Sequence, residues 1–326
     1  MADAVLEIRD LTVGFRTPRG LVRALRGVDL TVPRGRIVGI VGESGSGKTT
    51  LISAALALLA PNAVIERGRI LFEGRDVLAM TPTELEALRG RRIAIVFQDP
   101  MTSLNPVVPI GHQMVHIQHR DPAGAAVKRA RAVAALDRVG IADAADRLDD
   151  YPHRFSGGMR QRIAIAMALL MKPTLLIADE PTTALDVTLE AQIIYLLKEL
   201  REELAGTILF VSHNLGLIAE LCDEVAVMYA GEVVERADVA TLFHAARHPY
   251  ARLLLACDPA RIEVRARLLP TIPGEVPDLL GVPAGCPFAP RCPEVHPACL
   301  MTPPGSYAVA PQHDVRCLLA RDAGAA

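Results

Sequence analysis

An α/β fold with a mainly parallel sheet is the architecture this 326-residue sequence predicts. Three observations carry that expectation. Residues 36–60 run as an apolar, β-branched segment, a glycine-rich loop and a helix-forming segment. Short apolar runs at 93–97, 174–178 and 207–211 then alternate with helical stretches, the pattern of parallel strands joined by crossover helices. One of those runs ends on the paired acids Asp179 and Glu180, and such sheets bind ligands beyond the carboxyl ends of their strands.

Taken in order, Val5, Ile8, Leu11 and Val13 are separated by charges, and residues 22–32 form a second apolar segment. Together they predict two antiparallel strands with a turn at Thr17-Pro18-Arg19-Gly20. The strand from Arg36 leads into Gly42–Thr49, whose sequence GESGSGKT matches G-x-x-x-x-G-K-[ST]. Strand, loop and helix in that order are the context of a phosphate-binding loop. Glycines let successive N–H groups face one anion, and the helix that follows adds its positive end. Lys48 can reach the β- and γ-phosphates, and the Thr49 hydroxyl can meet Mg²⁺. Gly42, Ser44, Gly45, Ser46, Gly47, Lys48, Thr49 and Thr50 are therefore the candidate ATP contacts.

Arg69–Leu78 reads as strand and turn, the segment from Thr81 as a short capped helix, and Ile93–Phe97 as a buried strand ending at Gln98. Residues 101–170 are alanine-rich and helical, broken at Pro106, Pro109, Pro122 and Pro152, and read as a helical insertion. Within it Ser156 caps a helix that begins Gly157-Gly158-Met159. Glycines there weaken the helix by about 1 kcal/mol each relative to Ala, which points to close approach by another group or, more simply, to a turn. Their backbone N–H groups offer a second anion site without a lysine. Asp179 is a hard oxygen ligand suited to Mg²⁺, Glu180 a base for an attacking water. Gln98 and His213 end two other strands; Gln98 could contact Mg²⁺ and the water, His213 the γ-phosphate. Residues 189–204 and 215–222 are helical, and 225–229 with 232–235 form a hairpin.

After Cys257 prolines become dense and periodicity fades. The expected organisation is a nucleotide-binding domain over 1–257, with a helical subdomain at about 99–170, and a loop-rich extension over 258–326. The chain is 51% hydrophobic and 22% charged, with net charge −2, so it can fill a core and carries no basic excess for nucleic acid. No apolar run approaches the ~18 residues of a spanning helix. The acidic first residues lack a signal pattern, so a cytosolic chain that reaches a membrane through partners is expected.

In their order and spacing, Gly42–Thr49, Gln98, Phe155–Gln161, Asp179–Glu180, Ala184-Leu185-Asp186 and His213 resemble the Walker A, Q-loop, signature, Walker B, D-loop and H-loop of an ABC-type ATPase. The signature begins with Phe155 and ends with Met159 rather than the usual Leu and Gln, a variant similar to the peptide-importer branch. So are the stretches 97–106, Tyr151–Phe155 and His248-Pro-Tyr250. The resemblance covers about residues 5–326 and implies a P-loop NTPase with a RecA-like core and an antiparallel β subdomain. It implies a head-to-tail dimer in which Ser156, Gly157, Gly158 and Met159 close the partner's ATP site, with Asp186 in the D-loop. Phe15 falls where the family stacks an aromatic on adenine, and a core role for it is as compatible with the sequence. Residues 101–109 would face the permease.

The tail holds Cys286, Cys292, Cys299 and Cys317, with five, six and seventeen residues between them. It resembles the C-terminal extension of oligopeptide and dipeptide importer ATPases. Four thiolates on proline-rich loops suit a [4Fe-4S] cluster, with zinc as the alternative and unligated thiols as a third reading; His296 and His313 are spare ligands. The resemblance thus implies an ATP- and Mg²⁺-dependent importer subunit on the cytoplasmic face of the membrane. Its partners would be two permeases, a second and paralogous ATPase, and an extracytoplasmic peptide-binding protein. An importer for nickel or another small solute, and a soluble ABC ATPase for metal-cluster assembly, are the alternatives.

Overall fold

The computed structural model describes residues 3–99, 103–182, 186–204, 206–258, 270–281 and 284–321. Its strands are β1 (Ala4–Thr17), β2 (Gly20–Pro33), β3 (Ile37–Val41), β4 (Ala63–Phe72), β5 (Arg75–Asp76), β6 (Ile93–Val96), β7 (Leu175–Asp179), β8 (Thr207–Val211), β9 (Glu224–Tyr229), β10 (Glu232–Asp238), β11 (Tyr307–Ala310) and β12 (His313–Val315). The chain divides into two compact units, Met1–Ala79 with Val211–Ala326, and Met80–Phe210.

In the first unit β1 is sandwiched between β2 and β4 in an antiparallel sheet. The turn at residues 17–20 falls where the sequence places it, Thr17 pairing with Gly20. β4 begins at Ala63, six residues before the expected start, because its first half alternates weakly and carries Glu66 and Arg67. A second sheet in this unit runs β11-β12-β10-β9-β3. β3 is buried at all five positions and pairs parallel to β9, as continuous apolar runs do in sheets covered on both faces.

The extension departs from a purely loop-rich reading. β12 pairs antiparallel with β10, Glu235 opposite Val315, and β11 adds beyond it. Segments of four and three residues are too short to register as periodicity. The join is polar and buried: Glu235, 1% exposed, accepts from Arg247 N, His248 N and His313 Nε2, each at 2.8 Å. His313 is thus occupied by Glu235. His248 caps the helix Pro249–Ala256, its Nδ1 accepting from Tyr250 N at 3.0 Å.

The second unit orders its strands β8-β7-β6, with β6 and β7 parallel. Helices Ile110–His116, Ala125–Arg138 and Gly157–Leu170 realise the expected insertion. Thr81 opens the helix Pro82–Leu88 with a full capping box to Glu84, as its sequence predicts.

Burial, with Arg252 nearby, lowers the His248 pKa to about 3. The folded chain keeps the imidazole neutral, as a cap acceptor must be. Protonation of the unfolded chain at its ordinary value of about 6.5 therefore draws stability away as pH falls below that value and toward 3. His248→Asn, which still caps, should lose less stability between pH 7 and pH 5 than the parent, read from urea midpoints.

Candidate nucleotide site

The loop Gly42–Thr49 follows β3, and two of its three glycines, Gly42 and Gly47, are forced by close neighbours, while Gly45 has open space and a φ of +80°. At Gly42, φ is +153° and a Cβ would lie 2.2 Å from the Met228 carbonyl oxygen. At Gly47, φ is +105° and a Cβ would lie 2.7 Å from the Ala24 carbonyl oxygen. The loop is tied to the β9–β10 turn by Gly231 N donating to Ser46 O at 2.9 Å, and Gly231 in turn accepts from Arg26 N. Lys48 opens the helix Lys48–Ala55, which has no acid in its first turn. Its buried ammonium bridges the loop mouth, donating to Gly42 O at 2.7 Å and Glu43 O at 3.1 Å. The buried Ser46 hydroxyl has no hydrogen-bond partner. Ser44, Gly45 and Thr49 are exposed. The cradle, the ammonium and the open hydroxyls fit a metal-chelated triphosphate. Phe15 is half-buried on β1, opposite Val22 and Ala63.

Two further residues hold this loop, and neither part is signalled locally in the sequence. Tyr250 Oη accepts from Glu43 N at 2.9 Å. Arg291 forks onto the Glu43 carboxylate at 2.8 and 3.0 Å. Tyr250 was visible only as part of a family stretch, and Arg291, 248 residues from Glu43, gave no local signal. Beneath them Tyr229, Tyr250 and Phe288 form an edge-on aromatic cluster with centroids 4.6–5.4 Å apart.

In the second unit Asp179 is buried at the end of β7, and Glu180 follows it with φ +47°. A non-glycine residue in that region is strained. Gln98 Nε2 donates to Glu180 Oε2 at 3.0 Å, so the structure joins two of the proposed catalytic residues. Gln161 Nε2 donates to Phe97 O just before Gln98. Ser156 is the cap the sequence predicts, its Oγ accepting from Met159 N at 3.3 Å. A Cβ on Gly157 would meet nothing within 4 Å, so no packing among the described residues demands that glycine. Asp186 Oδ1 accepts from Leu189 N at 2.9 Å, anchoring the helix Val187–Leu204; Ala184 and Leu185 lie outside the described residues. In the first unit His213 is exposed after β8, just before Asn214, which caps Leu215–Leu221.

All four tail cysteines, Cys286, Cys292, Cys299 and Cys317, line one small cavity; His296 and His313 do not. Burial pushes the Cys286 thiol up to about 11 and raises Cys292 and Cys317 as well. Backbone N–H donors at Phe288, Glu294 and Leu319 oppose that rise at Cys286, Cys292 and Cys317 respectively. Four soft donors, three of them with backbone amides on their sulfurs, are the donor type that suits a thiolate-bound metal. Among the described residues, however, no group of three or more His, Cys, Asp or Glu is arranged to hold a metal ion.

Comparison with known proteins adds the following. The ABC transporter family matches residues 25–183, and the oligopeptide/dipeptide transporter C-terminal region matches residues 234–299. The oligopeptide transport ATP-binding protein OppD of Escherichia coli is 46% identical over 305 residues, covering 93% of this chain and 90% of that protein. The dipeptide transport ATP-binding protein DppD of Bacillus subtilis is 42% identical, covering 97% and 95%. The dimeric ATP-binding cassette MJ0796, solved in a post-hydrolysis state with ADP and Pi, superposes with TM-score 0.65 at 26% identity, over 72% of this chain and 98% of that one. CbiO1 of Clostridium perfringens, part of the transporter complex cbiONQ, gives 0.64 at 30%, over 74% and 92%.

The two kinds of glycine separate in stability. Gly47→Ala should cost at least ~2 kcal/mol, from a Cβ driven into a carbonyl at positive φ. Gly157→Ala should leave urea unfolding unchanged or raise stability by up to ~1 kcal/mol, since Ala is the better helix former.

Proposed function

This chain belongs to the ABC transporter family of ATP-binding proteins, and from that premise we propose that it is the ATP-hydrolysing subunit of an importer for oligopeptides or dipeptides. The observation that carries the reading is the loop at 42–49: a backbone cradle held open by steric necessity, with a buried ammonium at its mouth. The peptide class rests on the relatives' names and on the matching C-terminal region.

In this proposal Gly42 and Ser44–Thr50 bind the triphosphate, Lys48 leaving the loop carbonyls for the β- and γ-phosphates, and Phe15 stacks on adenine. Thr49, Gln98 and Asp179 hold Mg²⁺, which neutralises phosphate charge when bound. Glu180, oriented by Gln98, takes the proton of the attacking water. His213 donates to the γ-phosphate. Ser156, Gly157, Gly158 and Met159 complete the site of a neighbouring ATPase, and Asp186 lies at that junction. The open space above Gly157 supports the assignment. The division into a nucleotide-binding domain at 1–257 and an extension at 258–326 belongs to the same reading.

Two permeases, a paralogous second ATPase and an extracytoplasmic peptide-binding protein are the proposed partners, placing the chain on the cytoplasmic face of the membrane. Among the described residues no helix is long and apolar enough to cross one. Val107, 77% exposed, stands on a loop pinned by Gln113, which bonds Asn105 N, Asn105 O and Val108 O. A rigid loop presenting an apolar tip suits docking to a permease. We further propose that the four cysteines hold a [4Fe-4S] cluster, with zinc as the competing metal. The shared cavity and the amide donors support it.

Glu180→Gln should still bind ATP but lose at least ~100-fold in turnover, the scale of general-base catalysis; near-parental hydrolysis would reject the assignment. Gly157→Ala should fold normally yet slow turnover of the assembled transporter. An anaerobic preparation should be brown and lose its colour on Cys292→Ser. A colourless protein with one zinc per chain would replace the cluster by zinc.

A further inference from the structure

An acid inside an anion-binding loop is an electrostatic anomaly. Glu43 is the second residue of the phosphate loop, and its carboxylate is only partly exposed, at 28%. Lys48 supplies one positive charge to the loop, and Glu43 alone would cancel it at the place a triphosphate must enter.

The structure shows what offsets that charge. Arg291, with its side chain 3% exposed, forms a bidentate pair with Glu43. The guanidinium is itself fixed from behind. It donates to Pro273 O at 2.9 Å and Ile272 O at 3.2 Å, and its Cζ lies 5.7 Å from the Tyr229 ring centroid. A planar fork held on several sides keeps its geometry without further loss of side-chain entropy. Arg291 stands immediately before Cys292, one of the four cysteines sharing a cavity. A second route leads to the same residue, through Tyr250 Oη to Glu43 N. Glu43 is thus gripped at both its backbone and its carboxylate.

Resting on the proposed ATP site, we infer that Arg291 is a positioning residue of the phosphate loop. It neutralises Glu43 and turns its carboxylate away from the incoming triphosphate, so that the cysteine-bearing extension sets nucleotide affinity from outside the site. Loss of Arg291 frees a negative charge in the cradle. Loss of both partners removes the charge together with its compensation.

The test is MgATP affinity and steady-state hydrolysis of the full chain in the parent, R291Q, R291K and E43Q/R291Q. R291Q should weaken MgATP binding about tenfold, within the range of mutations acting through a coupling network, mainly in KM with kcat nearly held. E43Q/R291Q should bind within about threefold of the parent, because the acid that does the harm is gone. R291K should fall between, keeping the charge and losing the fork. A merely structural arginine predicts a different result: the double variant would be as weak as R291Q or weaker, with kcat and KM impaired together. That outcome overturns the inference, as does R291Q binding like the parent. Failure of the parent itself to bind MgATP would instead remove the ATP-site reading on which the inference stands.

Discussion

The constraint on which the rest depends is steric: the loop after β3 must pass between the Met228 and Ala24 carbonyls, where no Cβ fits. Those carbonyls belong to β9 and β2, so the cradle is shaped by both sheets of its unit. The chain therefore cannot relax into an ordinary turn. Its own carbonyls receive the Lys48 ammonium. Anion affinity here is a consequence of backbone crowding before it is one of charge.

Local chemistry explains what was legible in the sequence. β3 is a continuous apolar run, the loop after it matches a fixed spacing, and Ser156 and Thr81 are caps accepting from backbone N–H donors three residues on. Each is decided by residues within a few positions of one another. Asp179 and Glu180 were legible because a buried strand ends on them, although the left-handed backbone of Glu180 has no signature in a side chain chosen for chemistry.

Whatever depends on distant pairing stayed hidden. β11 and β12 are too short to show a period and exist because β10 offers an edge to pair with. Glu235 looks like any strand acid, yet it is buried under two amides and His313. His313, read as a spare metal ligand, lies outside the cysteine cavity, with its Nε2 on Glu235, 78 residues away. The four cysteines already crowd together in the tail sequence, and the fold brings them to one cavity, though among the described residues they are not arranged to hold a metal ion.

The same contrast bears on what the extension does for the loop. A short, proline-rich tail with little apolar periodicity would fold weakly alone, and this one gains its order from β10, from the aromatic cluster under Tyr229 and from the ion pair to Glu43. By linkage, a contact that orders the tail through the loop also orders the loop through the tail. Binding of a metal by the cysteines would tighten the segment carrying Arg291, and filling of the cradle by phosphate would favour the geometry in which Glu43 faces Arg291. On the inference that Arg291 positions the phosphate loop, the tail acts as a remote wall of the proposed nucleotide site, joined to it through the Arg291–Glu43 pair.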